Sequence, residues 1–262
     1  MEEKRCYYLW NIGCQMNRAD ASRIGEALDA RGYILTRQPR DAEILLLNTC
    51  VVRQSAENKV LGRLNSLRPL KEGDKERTLL VMGCFVDDVS ALHARYPFVD
   101  EFFKPSDISG VLAFIDKRND TQGRCEGLVA DAHTSPQIAD MVPISYGCNH
   151  HCTYCIVTLR RGAQRSRAIE EIVAEVKALV DRGTHEITLL GQNVDAYGTD
   201  LPGRPDLADI LLAIHDMKEL WRIRFLTSHP KDMTQRIIDT VAALPKVCPC
   251  GELAVQSGAD EG

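Results

Sequence analysis

Cys148, Cys152 and Cys155 fall in one short run, Tyr146-Gly147-Cys148-Asn149-His150-His151-Cys152-Thr153-Tyr154-Cys155, at C-x3-C-x2-C spacing. Three thiolates this close can bind three irons of a 4Fe–4S cube and leave the fourth iron without a protein ligand. An open iron is where chemistry can happen, just as an open coordination position separates catalytic from structural metal sites. Three further cysteines, Cys14, Cys50 and Cys84, lie 36 and 34 residues apart. Each closes a similar stretch: Leu9-Trp10-Asn11-Ile12-Gly13-Cys14, Leu47-Asn48-Thr49-Cys50 and Val81-Met82-Gly83-Cys84. If the apolar residues are parallel strands, their C-terminal ends share one edge of a sheet, where doubly wound domains place ligands. Gly13 and Gly83 would let the backbone turn tightly and approach a cluster. Buried strand-end cysteines are the simpler alternative, but the recurrence in one register favours convergence. Cys6, Cys125, Cys248 and Cys250 show no such register and read as structural or incidental.

The elements that must position these cysteines follow from hydrophobic periodicity. In the first half, strands are expected at Cys6–Asn11, Glu43–Leu47, Thr78–Met82 and near Phe102. Helices are expected over Asp20–Arg31, Arg53–Leu67, Asp87–Arg95 and Ile108–Lys117. The strands are apolar enough to be covered on both faces, which predicts a parallel, doubly wound α/β domain over residues 1–118. Residues 119–137 lose periodicity and read as a linker. Alternation resumes over 138–262, with strands at Val142–Ser145, Glu186–Leu190, Ile223–Thr227 and Leu253–Gln256. Helices are expected at Ala168–Arg182, Leu207–Met217 and Lys231–Ala243. About four βα units fit there, whereas a closed eight-fold barrel needs roughly 250 residues. The second series is therefore expected to be an incomplete βα barrel, part of a longer protein, with its cysteine loop after its first strand.

Gln192, Asn193, Ser228 and His229 follow expected strands and would sit at the active mouth of such a barrel. Contact with a ligand and polar loop-capping are both open for them. His150 and His151 read as exposed polar filler rather than metal ligands. The run Leu159 to Arg167 holds Arg160, Arg161, Arg165 and Arg167 and no acid. A solvated face would explain it, but its place directly after the cluster loop favours phosphate contact through planar guanidinium groups.

Composition sets looser bounds. The chain has 262 residues, 44% hydrophobic content and a net charge of −5, so its overall balance does not point to nucleic acid. The start, Met-Glu-Glu-Lys-Arg, lacks a signal-type apolar core, and no stretch reaches membrane-spanning length. A cytoplasmic protein with no membrane contact is expected, in which ten cysteines point to metal or redox chemistry rather than disulfides.

The cysteine loop resembles the signature of the radical S-adenosylmethionine (radical SAM) enzymes, with Tyr154 at the aromatic position before the third cysteine. Gly13-Cys14-Gln15-Met16-Asn17, Asn48-Thr49-Cys50 and Met82-Gly83-Cys84 resemble the N-terminal methylthiotransferase domain. Arg161-Gly162, Arg165-Ser166-Arg167, Leu190-Gly191-Gln192-Asn193-Val194, Tyr197-Gly198 and Thr227-Ser228-His229-Pro230 continue the likeness. Within that family the Cys-Gln-Met-Asn and Gly-Gln-Asn-Val versions are similar to the MiaB type, which modifies tRNA. The resemblance implies methylthiolation of carbon 2 of N6-isopentenyladenosine beside the anticodon. It implies two 4Fe–4S clusters, on Cys148, Cys152 and Cys155 and on Cys14, Cys50 and Cys84, each with an open iron. The first would reduce SAM to release a 5′-deoxyadenosyl radical; the second would hold a sulfur-containing group, and a second SAM would supply the methyl. Tyr154, Gln192, Asn193, Ser228 and His229 are the implied SAM or substrate contacts, and Arg160, Arg161, Arg165 and Arg167 the tRNA contacts. An electron donor such as flavodoxin or ferredoxin and a monomeric state are expected.

The chain departs from the family at Thr158, where Pro is usual, and at Pro249 to Leu253, where the family carries histidines. The family also continues into the rest of the barrel and an all-β RNA-binding domain. Close rivals are relatives that methylthiolate a ribosomal-protein aspartate or threonylcarbamoyl-adenosine of tRNA. The first reads Cys-Pro-Lys-Asn where this chain has Cys14-Gln15-Met16-Asn17. A Cys3His zinc site completed by His150 or His151 would leave the first triad unexplained. A non-catalytic iron–sulfur protein is the remaining alternative.

Overall fold

A computed structural model describes residues 5–118 and 137–253. The chain divides into two compact units, Met1–Ser135 and Pro136–Gly262.

In the first unit the order is β1 (Arg5–Asn11), α1 (Gln15–Asp29), β2 (Tyr33–Leu35), β3 (Ile44–Thr49), α2 (Gln54–Gly73), β4 (Thr78–Gly83), α3 (Val89–Arg95), β5 (Glu101–Phe103) and α4 (Ile108–Lys117). The strands form one parallel sheet in the order β2-β1-β3-β4-β5. Every residue of β3 and β4 is buried, because helices cover both faces. Leu45, Leu47, Leu79 and Val81 pack with Val60, Leu64 and Leu67 of α2 on one side. Ile44, Leu46, Leu80 and Met82 pack with Ile24 and Leu28 of α1 and Val111 and Ile115 of α4 on the other. This double burial explains runs of apolar residues without alternation. Two differences from the sequence expectation bear on function. α1 begins at Gln15 rather than Asp20, because Met16 and Asn17 are buried against the sheet edge, so Cys14 becomes its N-cap. Cys6 is disulfide-bonded, contrary to the expectation of no disulfides.

The second unit runs β6 (Ala139–Pro143), β7 (Ser145–Tyr146), α5 (Val157–Arg161), β8 (Arg165–Ser166), α6 (Ile169–Asp181), β9 (Glu186–Leu190), α7 (Leu207–His215), β10 (Arg222–Leu226) and α8 (Gln235–Ala243). Its parallel sheet has the order β10-β9-β6. Parallel bridges from Val247 to Ile223 and from Leu253 to Ser228 run the chain alongside β10 again. The last expected strand otherwise lies outside the described residues. Val142, Ile187, Leu189, Ile223 and Phe225 meet Ile172 and Val176 of α6 and Ile210, Leu211 and Ile214 of α7 in one core. The expected strand at Val142–Ser145 is two pieces: β6 ends at Pro143, and β7 pairs antiparallel with β8. That two-residue ribbon closes the base of the cysteine loop.

Candidate iron–sulfur sites

In the first unit, Cys50 and Cys84 are the first residues beyond β3 and β4, and Cys14 lies three residues beyond β1. These strands are neighbours in the sheet, in register at Asn11–Asn48 and Thr49–Gly83. Cys50 and Cys84 are each 5% exposed, while Cys14 is exposed. The loops touch closely. A Cβ on Gly13, which has φ +133°, would lie 2.8 Å from Cys50 Cβ. A Cβ on Gly83 (φ +104°) would lie 2.4 Å from Thr49 O. The Cys84 N–H donates to that same carbonyl at 3.0 Å. Cys14 stands at the N-terminus of α1, where the helix's partial positive charge suits an anionic cluster.

In the second unit, Gly147 (φ +71°) swings the chain out of β7; a Cβ there would sit 2.2 Å from Ala163 O and 2.6 Å from Gly162 O. The Cys148 N–H then donates to Gly162 O at 3.1 Å, the His150 N–H to Cys148 Sγ at 3.4 Å, and the Cys155 N–H to Cys152 O at 3.0 Å. Asn149 Oδ1 accepts from the Gln164 N–H at 3.0 Å, and Gln164 Nε2 reaches Ala196 O at 2.7 Å, tying the loop to the β9 side. All three cysteines are half-buried. Burial pushes the Cys148 thiol up; the His150 N–H lowers it, and the fields of Cys155, Cys152 and Asp232 raise it again.

Around this loop the structure joins residues that the sequence left separate. His150 is not filler: its Nε2 is hydrogen-bonded to Asp232 Oδ2, and its ring stacks on His229 with centroids 4.3 Å apart. Asn193 Nδ2 donates to the same Asp232 oxygen at 2.5 Å. Ser228 Oγ donates to Asp195 Oδ1 at 3.1 Å, and the His229 N–H donates to Asp195 Oδ2 at 3.0 Å. Burial lifts the Asp195 carboxyl to about 6, opposed by those two bonds and assisted by the charge of Asp232. Asp195 and Asp232 went unnoticed because a single acid after a strand looks like a loop cap; their only signal was spacing, three residues beyond Gln192 and His229. Asn193 Oδ1 is buried without a hydrogen-bond partner, while Gln192 is half-buried, His151 exposed and Tyr154 70% exposed.

The arginines divide. Arg165 is exposed, and Arg160 and Arg161 are half-buried on α5. Arg167 is taken up inside the unit: Nη1 donates to Pro143 O at 2.7 Å, and Nη2 pairs with Glu175 at 2.6 Å. Its side chain is 13% exposed, so it braces α6 against β6 rather than presenting a free phosphate-binding fork. The absence of acids in the local run concealed this, since Glu175 comes from the next helix.

Comparison with known proteins gives two family matches. Residues 6–103 match the family described as Uncharacterized protein family UPF0004, and residues 142–261 match the Radical SAM superfamily. A curated relative from Dehalococcoides mccartyi (strain CBDB1), named tRNA-2-methylthio-N(6)-dimethylallyladenosine synthase, is 48% identical over 97% of this chain and 58% of its own length. A relative of the same name from Roseiflexus sp. (strain RS-1) is 46% identical over 98% of this chain and 54% of its own. The chain therefore spans somewhat more than half the length of these relatives. Among solved structures, the radical SAM methyltransferase TsrM from Kitasatospora setae, with tryptophan substrate and a SAM analogue bound, aligns with TM-score 0.56. It shares 13% identity over 92% of this chain and 57% of that one, a likeness of fold alone. The first unit thus matches the UPF0004 family and the second the Radical SAM superfamily, and along almost its whole length the chain is similar to curated relatives named tRNA-2-methylthio-N(6)-dimethylallyladenosine synthase.

Proposed function

We propose that this chain performs the radical SAM methylthiolation of carbon 2 of N6-isopentenyladenosine in tRNA, with one 4Fe–4S cluster on each cysteine triad. The observation that carries the reading is the pairing of a compact C-x3-C-x2-C loop in one unit with three strand-end cysteines on adjacent parallel strands in the other. The names of the curated relatives support the substrate.

The donor sets suit the cofactors. Each triad offers three soft thiol ligands, which favours iron–sulfur over hard cations, and each leaves one iron for an outside group. The unpartnered Asn193 Oδ1, buried at the barrel mouth, is an acceptor that an N–H of SAM would satisfy. Bound together, cluster and SAM supply one-electron chemistry that side-chain acid–base groups cannot, as replacing an unactivated aromatic C–H by C–S requires. The chain's residues hold and orient. Gly147 and the β7–β8 ribbon fix the cysteine loop, and Asp232 joins His150 of that loop to Asn193 after β9. Asp195 fixes Ser228 and the His229 backbone after β10. Arg165, with Arg160 and Arg161, would meet tRNA phosphates, and a flavodoxin- or ferredoxin-type protein would deliver electrons. Among the described residues no helix is long and apolar enough to cross a membrane.

The test is mass spectrometry of a reaction holding the anaerobically reconstituted chain, SAM, a reductant and an anticodon stem-loop with N6-isopentenyladenosine. The expected products are 5′-deoxyadenosine and the 2-methylthio nucleoside. SAM left intact, or the group found on an aspartyl peptide with the RNA unmodified, would contradict the proposal.

A further inference from the structure

Asn17 is fully buried, yet its side chain touches the Cys14 and Cys50 loops of the first triad's site. Its Nδ2 donates to Ile12 O at 2.9 Å, in the segment that leads to Cys14, and to Thr49 O at 2.9 Å, the carbonyl just before Cys50. Thr49 O also accepts from the Cys84 N–H, so one carbonyl links the Cys50 and Cys84 loops to Asn17. The orientation of the carboxamide is fixed by its partners. Ile12 O and Thr49 O can only accept, so the NH2 must face them and Oδ1 must face the Cys14 sulfur, which lies 3.5 Å away. The backbone of Asn17 is held in turn, because Asn48 Nδ2, also fully buried, donates to Asn17 O at 2.8 Å. Thr49 Oγ1 donates to Met82 O at 2.6 Å and closes the network onto β4.

A buried amide is normally hydrogen-bonded, most often to backbone or water. Here both donors of one side chain bridge two strand ends, and its oxygen sits on a cysteine. We propose that Asn17 is the positioning residue of the Cys14–Cys50–Cys84 site, setting the exposed Cys14 loop at the distance from Cys50 and Cys84 that a cluster requires. The proposal rests on the reading of this triad as a cluster site.

The experiment uses the full chain carrying Cys148→Ala, Cys152→Ala and Cys155→Ala, so that only the first triad can take up iron. After anaerobic reconstitution this background should hold about four irons. Asn17→Ala, and the isosteric Asn17→Asp that replaces both donors by an oxygen, should each hold less than about half of that. Any residual cluster should show a shifted electron paramagnetic resonance (EPR) spectrum when reduced. Leu28→Ala, also on α1 and fully buried, should lower the melting temperature at least as much as Asn17→Ala yet keep the iron. Full iron uptake with an unchanged spectrum in either Asn17 variant overturns the proposal, as does equal iron loss in Leu28→Ala. A background that binds no iron overturns the cluster reading itself, and the proposal with it.

Discussion

Gly147→Ala isolates the geometry of the Cys148, Cys152 and Cys155 loop, the proposed SAM-type cluster site, because it changes none of the three cysteines. At φ +71° an L side chain is strained, and the added Cβ would meet two backbone carbonyls, Ala163 O at 2.2 Å and Gly162 O at 2.6 Å. Neither can step aside cheaply, since both belong to the turn into β8, whose pairing with β7 fixes the loop's base. The chain must swing outward, which also breaks the bond from the Cys148 N–H to Gly162 O. The left-handed conformation costs about 1–2 kcal/mol, overpacking about 1–3 and the lost hydrogen bond about 0.5–1.5, together about 2.5–6.5 kcal/mol. Because 1.4 kcal/mol is a factor of about ten, the native loop geometry should become at least about fifty-fold rarer. The loop stands apart from the core of Val142, Ile187 and Phe225, so the unit should stay folded. Iron analysis with visible and EPR spectra after reconstitution should show about four irons lost of about eight. A full complement with the parent spectrum would refute the reasoning.

Gly83→Ala should act likewise on the first unit, where Thr49 O would lie 2.4 Å from the new Cβ; iron loss confined to the Cys14, Cys50 and Cys84 site is expected, and unchanged iron would contradict it. Asp195 gives a pH signature: its folded carboxyl titrates at about 6, above an unfolded value of about 3.9, so between these the folded state binds more protons. Its contribution is therefore greatest below about pH 4, falls as pH rises to about 6 and is flat above, amounting to at most about 3 kcal/mol. The urea midpoint of Asp195→Asn minus that of the parent should rise over this window, and parallel profiles would contradict the assignment. Arg165→Ala should weaken RNA binding and reduce the salt slope by roughly 0.7–0.9, whereas an unchanged slope in a binding titration would remove Arg165 from the interface.

What the sequence made readable was whatever repeats along it. The strand Glu186–Leu190 and the helix Ile108–Lys117 coincide with the expected spans, because a short apolar strand and an amphipathic helix announce themselves in five to ten residues. The register of Cys14, Cys50 and Cys84 was readable too, since parallel strands joined by right-handed crossovers put their C-terminal ends on one edge of the sheet. The three-residue strand β2 and the two-residue β7–β8 ribbon were not, being too short for any period. α1 was expected to begin at Asp20, whereas tertiary contacts at the sheet edge bury Met16 and Asn17 and start it at Gln15. The Asp232 bridge to His150 and Asn193, and the pairing of Arg167 with Glu175, join residues from different loops or elements. No local pattern encodes such contacts; they exist only once the sheet has set the loop ends side by side.

The most direct test is the iron content and Mössbauer spectrum of the anaerobically reconstituted chain and of its two triad variants. Two clusters predict about eight irons in the parent, all as 4Fe–4S. Replacing Cys14, Cys50 and Cys84, or Cys148, Cys152 and Cys155, should leave about four, with the spectrum of the other cluster intact. Zinc in place of iron, or a parent with one cluster that survives loss of either triad, would contradict the account.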